Sequence, residues 1–243
     1  MARFQRARKP HEKEVRRRAI LQAARDLARE SGPIELGLNE LGRRSGVSKP
    51  NIYRYFESRE EILFRLYLAE VTELVESIEA RLRGARTTLD VARVAAILAR
   101  EHLSRPLLCQ LTGMVASILE HNMSAATIAD VKAELAKLLP RAGAALCGAL
   151  PWLSEEGATL AIRSIELQLA GLWPASHPSS AAREVLSRPE FAGMCVEADR
   201  DFPRFIETLL AGLRSLATVR DGGRRSAEIA SPSAGRRAPS RSA

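Results

Sequence analysis

Apolar residues recur along this chain at helical spacing, and no stretch sustains the period-two alternation of Val, Ile, Thr and aromatics that a half-buried strand requires. The expected fold class is therefore all-α. Between His11 and Glu30, Ile20, Ala23, Ala24, Leu27 and Ala28 fall on one face, with Arg16, Arg17, Arg25 and Arg29 elsewhere. "SGP" closes that helix, because Gly32 can take the left-handed cap position and Pro33 cannot continue the turn. A short helix over Leu38 to Ser45 buries Leu38 and Leu41 and stops at Gly46. Ser58, with Glu61 three residues later, is a capping signal for a long helix carrying Ile62, Leu63, Leu66, Val71, Leu74, Val75, Ile78 and Leu82.

Further helices are expected near Leu89 to Leu103, Arg105 to His121, Ala125 to Leu150, Glu155 to Trp173 and Arg200 to Ala217, with Pro140 kinking or splitting the third. "PASHPSSAAREVLSRPEF" has turn chemistry at both ends and room for one short helix at Ser180 to Leu186. After Arg220 the chain is rich in Gly, Ser, Pro and Arg and holds too few large apolar groups to offset its ordering entropy. Four parts follow: a basic flexible arm over residues 1–11, a helix-turn-helix domain over 12–58, a helical domain over 59–218 and a disordered basic tail over 219–243.

The densest signal is "GVSKPNIYRYF", Gly46 to Phe56. Gly46 supplies the positive φ that closes one helix, Val47 plugs the angle between the pair, and the Ser48 hydroxyl is placed to accept from the first turn of the next. Two helices joined in this way form a helix-turn-helix. Pro50 sits in the first turn, where its missing N–H has no intrahelical partner to lose. Ile52 and Phe56, four apart, share the inner face with Val47 and leave Lys49, Asn51, Tyr53, Arg54 and Tyr55 on the outer arc. Lys and Asn can reach base edges, Pro can press a thymine methyl, and a phenol can rest on sugar carbons while donating to a phosphate. The competing expectation is that one Tyr packs against the long helix that follows.

Charge sharpens this picture. The chain of 243 residues is 46% hydrophobic and carries a net charge of +8. Met1 to Leu68 holds 16 Arg and Lys against 9 Asp and Glu, and Arg220 to Ala243 holds 6 against 2, so the middle is slightly acidic. A basic module on a mildly acidic body is what a chain needs when only one part approaches a polyanion. The longest uncharged apolar stretch, "PLLCQLTGMVASIL", has 14 residues, too few for a membrane span. "MARFQRARKPHEKEVRRR" lacks the apolar segment of a secretory signal, and the expected compartment is the cytoplasm. Cys109, Cys147 and Cys195 are widely spaced, with no CxxC and no His at ligand spacing, so neither a metal nor another cofactor is expected. With no Gly-rich phosphate loop, GxSxG or HExxH, an enzyme is not expected either.

"LNELGRRSGVSKPNIYRYFESREEILFRLY", Leu38 to Tyr67, resembles the signature of the tetracycline-repressor family of bacterial transcription regulators, and the likeness extends back to about Val15. The resemblance implies an all-helical homodimer that binds a palindromic operator in double-stranded DNA, usually as a repressor, and lets go when a small-molecule effector enters the C-terminal domain. By the same likeness Lys49, Pro50 and Asn51 stand where the family reads bases, Tyr53 and Tyr55 where it grips phosphates, and Arg59 where a Lys opens the fourth helix. Gly37 replaces the usual Thr or Ser cap, and Gly42 the usual Ala. The stripes Ile162, Ile165, Leu169, Leu172 and Phe202, Phe205, Ile206, Leu209, Leu213, Leu216 would form a four-helix interface with a second copy; the other reading makes them ordinary core.

The middle helices hold no aromatic residue between Leu68 and Pro151. A pocket among them would be lined by aliphatic groups with Met114 and Cys109, and with His102, Gln110 and His121 as polar anchors, which favours a lipophilic effector over a flat one.

Overall fold

The computed structural model describes residues 3–84 and 89–229. Those residues form ten α-helices. In the N-terminal module α1 (Arg3–Ser31), α2 (Leu38–Ser45) and α3 (Lys49–Ile52) precede the long α4 (Arg59–Arg83). The body adds α5 (Val91–Leu103), α6 (Pro106–Met114), α7 (Ala125–Ala149), α8 (Glu155–Ser176), α9 (Ser180–Leu186) and α10 (Ala198–Ile229). A π-helical turn, Val115–Leu119, and a 3₁₀ turn, Glu120–Asn122, carry the chain from α6 to α7.

The capping chemistry sets most boundaries. Gly32 and Gly46 both adopt positive φ, at 87° and 68°, where they end α1 and α2. The Ser58 hydroxyl accepts from the Glu61 N–H at 3.0 Å, and Glu61 reaches back to accept from the Glu57 N–H at 2.7 Å. Asp90, Ser124 and Ser154 cap α5, α7 and α8 in the same manner.

Two expectations about flexible ends differ from the backbone. Where an arm was expected up to residue 11, α1 is already helical from Arg3, and where a tail was expected from residue 219, α10 continues to Ile229. Both ends carry helix-favouring Arg, Lys, Gln, Glu or Ala but also Pro10 in α1 and Gly222 and Gly223 in α10, which disfavour helix, so propensity alone does not account for either extension. Residues 1–2 and 230–243 lie outside the described residues. Pro140 does not split α7, which runs unbroken between its walls of α4 and α8.

Two large clusters and a small third, Val75 of α4 with Leu138 and Ala142 of α7, make the core. In one, Ile20, Ala24 and Leu27 of α1 meet Leu41 of α2, Ile52 and Phe56 of the α3 segment, and Ile62, Leu63 and Phe64 of α4. The same cluster runs on through Leu107, Leu111 and Met114 of α6 to Val131 of α7, so apolar packing is continuous across the expected boundary at residue 58. The other large cluster holds the lower half of α4 against α5, α7, α8 and α10 through Leu74, Ile78, Leu98, Leu146, Ile165, Leu169, Phe202 and Ile206. Each fully buried Leu, Ile or Phe contributes about 1.5–3 kcal/mol of apolar transfer, and α4 belongs to both clusters, with Tyr67 touching each.

Ile165, Leu169, Phe202 and Ile206 are therefore core of a single chain, not a free stripe. Their i, i+4 spacing could not distinguish an intrachain neighbour from a second copy. What α8 and α10 leave open is Leu160, Leu167 and Leu216, which are 52%, 75% and 62% exposed.

Candidate nucleic-acid interface

The α3 segment is held from below. Ile52 and Phe56 are buried to 1% and 2% exposure in the N-terminal core, and Val47 packs against the same cluster. Ser48 caps differently from expectation: its hydroxyl makes no cap bond, and its carbonyl accepts from the Asn51 and Ile52 N–H groups at 2.8 and 3.0 Å. The regular helix is one turn long, and Tyr53 to Phe56 continue it through Arg54 N–H to Asn51 O at 3.1 Å, Tyr55 N–H to Ile52 O at 2.9 Å and Phe56 N–H to Ile52 O at 3.1 Å. Gly42 lets the turn close tightly, because a Cβ there would stand 2.9 Å from the Val47 carbonyl oxygen. Gly37 offers no side-chain cap to α2.

This scaffold turns Ser48, Lys49, Pro50, Asn51, Tyr53 and Arg54 outward together. Tyr53 is 51% exposed. Tyr55 is half-buried against the N-terminal core, so the two phenols do not share one environment. Arg59, at the start of α4, is half-buried, with Nε enclosed and without a hydrogen-bond partner among the described residues. Arg43 and Arg44 are spent on Glu40 and Glu30 at 2.6 Å, whereas Lys49 and Arg54 form no ion pair among the described residues. Below the arc, Arg17 lies over the Phe56 ring at 5.3 Å; burial, then the like charge of Arg65, holds its pKa below the ordinary value against the pull of Glu61 and Glu14.

One tie joins this surface to the body. Glu57, exposed just after Phe56, accepts from the Ser124 N–H and hydroxyl, both at 2.8 Å, at the start of α7. Those two bonds keep the Glu57 carboxyl below its ordinary pKa.

Between α4, α5, α7 and α8 lies an apolar cavity of about 120 Å³. Of the anchors expected from sequence, only His102 lines it. Cys109 is fully buried, its Sγ donating to the His102 carbonyl at 3.3 Å, and burial pushes its thiol up to about 12. Met114 belongs to the N-terminal core, Gln110 is half-buried off the cavity wall, and His121 is exposed. These four ride on α6 and the turn after it, which do not wall the space. The wall instead brings in Tyr67 and Glu166, together with Leu74, Ile78 and Leu138. Sequence held a trace of both polar groups: Tyr67 continues the apolar face of α4 at i, i+4, i+7 and i+11, and Glu166 is a lone carboxylate between Ile165 and Leu167. Among the described residues no helix is long and apolar enough to cross a membrane, and no three His, Cys, Asp or Glu gather as a metal site.

Comparison with known proteins agrees with this layout. Residues 20–66 match the family described as "Bacterial regulatory proteins, tetR family", and residues 68–217 match "Tetracyclin repressor-like, C-terminal domain". An HTH-type transcriptional regulator of Mycobacterium tuberculosis is 33% identical over 85 residues, covering 30% of this chain and 42% of that protein. The HTH-type transcriptional activator FasR of Mycolicibacterium smegmatis is 37% identical over 79 residues, 32% of this chain and 34% of its own length. The matched segment thus spans less than half of either relative. Among solved structures, a TetR variant from Acinetobacter baumannii in complex with minocycline shares the fold, with a TM-score of 0.50 at 18% identity, covering 82% of this chain and 96% of that one.

Proposed function

The chain belongs to the tetR family of bacterial regulatory proteins and is a DNA-binding transcriptional regulator; from that premise we propose that it acts as a homodimeric repressor, released from a palindromic operator when a small lipophilic effector occupies the cavity beside α4. The observation that carries the DNA half is the outer arc of the α3 segment. Among the described residues Lys49 and Arg54 have no ion-pair partner, and they stand above the locked Ile52 and Phe56. In this reading Lys49, Pro50 and Asn51 meet base edges, Ser48, Tyr53, Arg54 and Arg59 meet phosphates, and Tyr55 adds its hydroxyl from a fixed, half-packed ring. Two such arcs on a two-fold dimer would meet successive major grooves.

Footprinting on the DNA upstream of the protein's own gene tests the operator, and a titration against salt tests the contact count. If each half neutralises about four phosphates, the logarithmic salt slope is near about −7; a slope shallower than about −3 rejects the model of paired half-sites. Rising transcript from the protected promoter in a deletion strain supports repression, and falling transcript makes the protein an activator.

The cavity favours a second reading on one count. At about 120 Å³ it is smaller than the roughly 300 Å³ at which drug-sized ligand sites begin, as a regulator without an inducer would have it. An operator complex that no metabolite extract dissolves would decide for that alternative.

A further inference from the structure

The cavity beside α4 is apolar on almost every side. Twelve of its fifteen lining residues are Val, Leu, Ile or Ala, so Val71, Leu74 and Ile78 of α4 look across to Leu138 and Ala142 of α7 and Ile162 of α8. The other three are Tyr67, His102 and Glu166. His102 spends both ring nitrogens inside the protein, Nδ1 at 2.7 Å from the Leu98 carbonyl and Nε2 at 3.3 Å from Glu166 Oε1. Glu166 Oε2 is sealed among packed atoms, away from the open space. Tyr67 adds one neutral hydroxyl, since burial pushes its pKa well above the ordinary 10 and keeps the phenol protonated. A single neutral dipole cannot replace the water contacts that an ion gives up, so a charged guest of either sign would enter without compensation.

We infer that the cavity takes a compact, uncharged hydrocarbon group of up to about six carbons, and that any charge its bearer carries stays outside this space. This rests on the effector reading above and names the part of the effector that enters. An apolar group gains the full transfer from water into such a wall, whereas an ion must shed its hydration with nothing to take its place. The volume limits the group. About 120 Å³ lies just under the roughly 150 Å³ of an engineered aliphatic cavity that stays dry and holds benzene. With no polar contact to distinguish one guest from another, shape and apolar area alone rank them, and each methylene that fits should tighten binding about fourfold.

Benzene, piperidine and butyrate are close in size, and at neutral pH they are respectively uncharged, cationic and anionic. Thermal melts of the full-length protein in sealed cells, run against rising concentrations of each, give their apparent dissociation constants. Benzene should raise the melting temperature and bind at least about tenfold tighter than either ion. Ala142→Leu, which fills the cavity with its own side chain, should abolish the benzene shift. Either ion matching benzene overturns the hydrocarbon assignment and leaves the effector cavity standing. A benzene shift that survives in Ala142→Leu also overturns it, by placing the probe elsewhere. No shift from any of the three overturns both readings. The wild-type series decides even if the Leu variant fails to fold.

Discussion

Tyr53 and Tyr55 stand two residues apart with different jobs for their rings. Tyr53 is exposed, while Tyr55 shares the packing that holds the α3 segment to the core. Lys49→Ala and Tyr53→Ala should each weaken operator binding by roughly tenfold with the melting temperature unchanged, because neither side chain is buried. Tyr55→Ala should lower both affinity and melting temperature, and fluorescence anisotropy with thermal melts separates the two effects. Gly42 poses the opposite question. Replacing Gly with Ala inside a helix gains about 0.5–1 kcal/mol of propensity, but the new methyl would lie 2.9 Å from the Val47 carbonyl, a backbone atom of the turn itself. We expect Gly42→Ala to lose about 1 kcal/mol in urea unfolding, because the only relief is to open the turn; a more stable variant would show that the turn gives way freely. The departure from the family's Ala thus has a local cause.

At the level of elements, α4 is the member on which the others register. Ser77 and Arg81 of α4 and Arg105 converge on the buried carboxylate of Glu101 in α5, with Ser77 donating at 2.5 Å and Arg105 at 3.0 Å. Burial pushes the Glu101 pKa up, yet these hydrogen bonds and the two guanidinium charges outweigh it and hold the group below its ordinary 4.5. A carboxyl depressed in the folded state stabilises fully above its unfolded pKa, and that contribution fades as pH falls through the folded value. Acid unfolding below pH 4.5 should therefore be steep, and Glu101→Gln should flatten it while costing stability at pH 7; identical acid profiles would assign the slope elsewhere. Much of this level was legible in the chain. The bounds of α2 and the Ser58 start of α4 follow from local cap chemistry, which a few adjacent residues decide. The early end of α6 in a π-helical turn was not legible, nor was the cavity wall, because both depend on which helices become neighbours. The polar ends of α1 and α10 escaped for a different reason: a helix without an apolar face leaves no periodicity to read.

For the molecule as a whole, the open question is what covers α8 and α10. Leu160, Leu167 and Leu216 are large apolar groups left in solvent by a chain whose other α8 and α10 apolar positions are mostly packed. If a second copy covers them, Leu167→Arg should yield a monomer in analytical ultracentrifugation and lose most operator affinity while keeping its helical content by circular dichroism. A stable wild-type monomer at micromolar concentration would remove the paired half-sites altogether. The short carboxylate link between Glu57 and Ser124 then acquires a meaning beyond stability. The helix it anchors is also a side of the hollow where an effector would lodge, so any displacement there reaches the DNA-facing surface across a single side chain. Coupling of that kind is symmetric: if an occupied hollow loosens the duplex, the bound duplex makes the hollow harder to enter by the same factor.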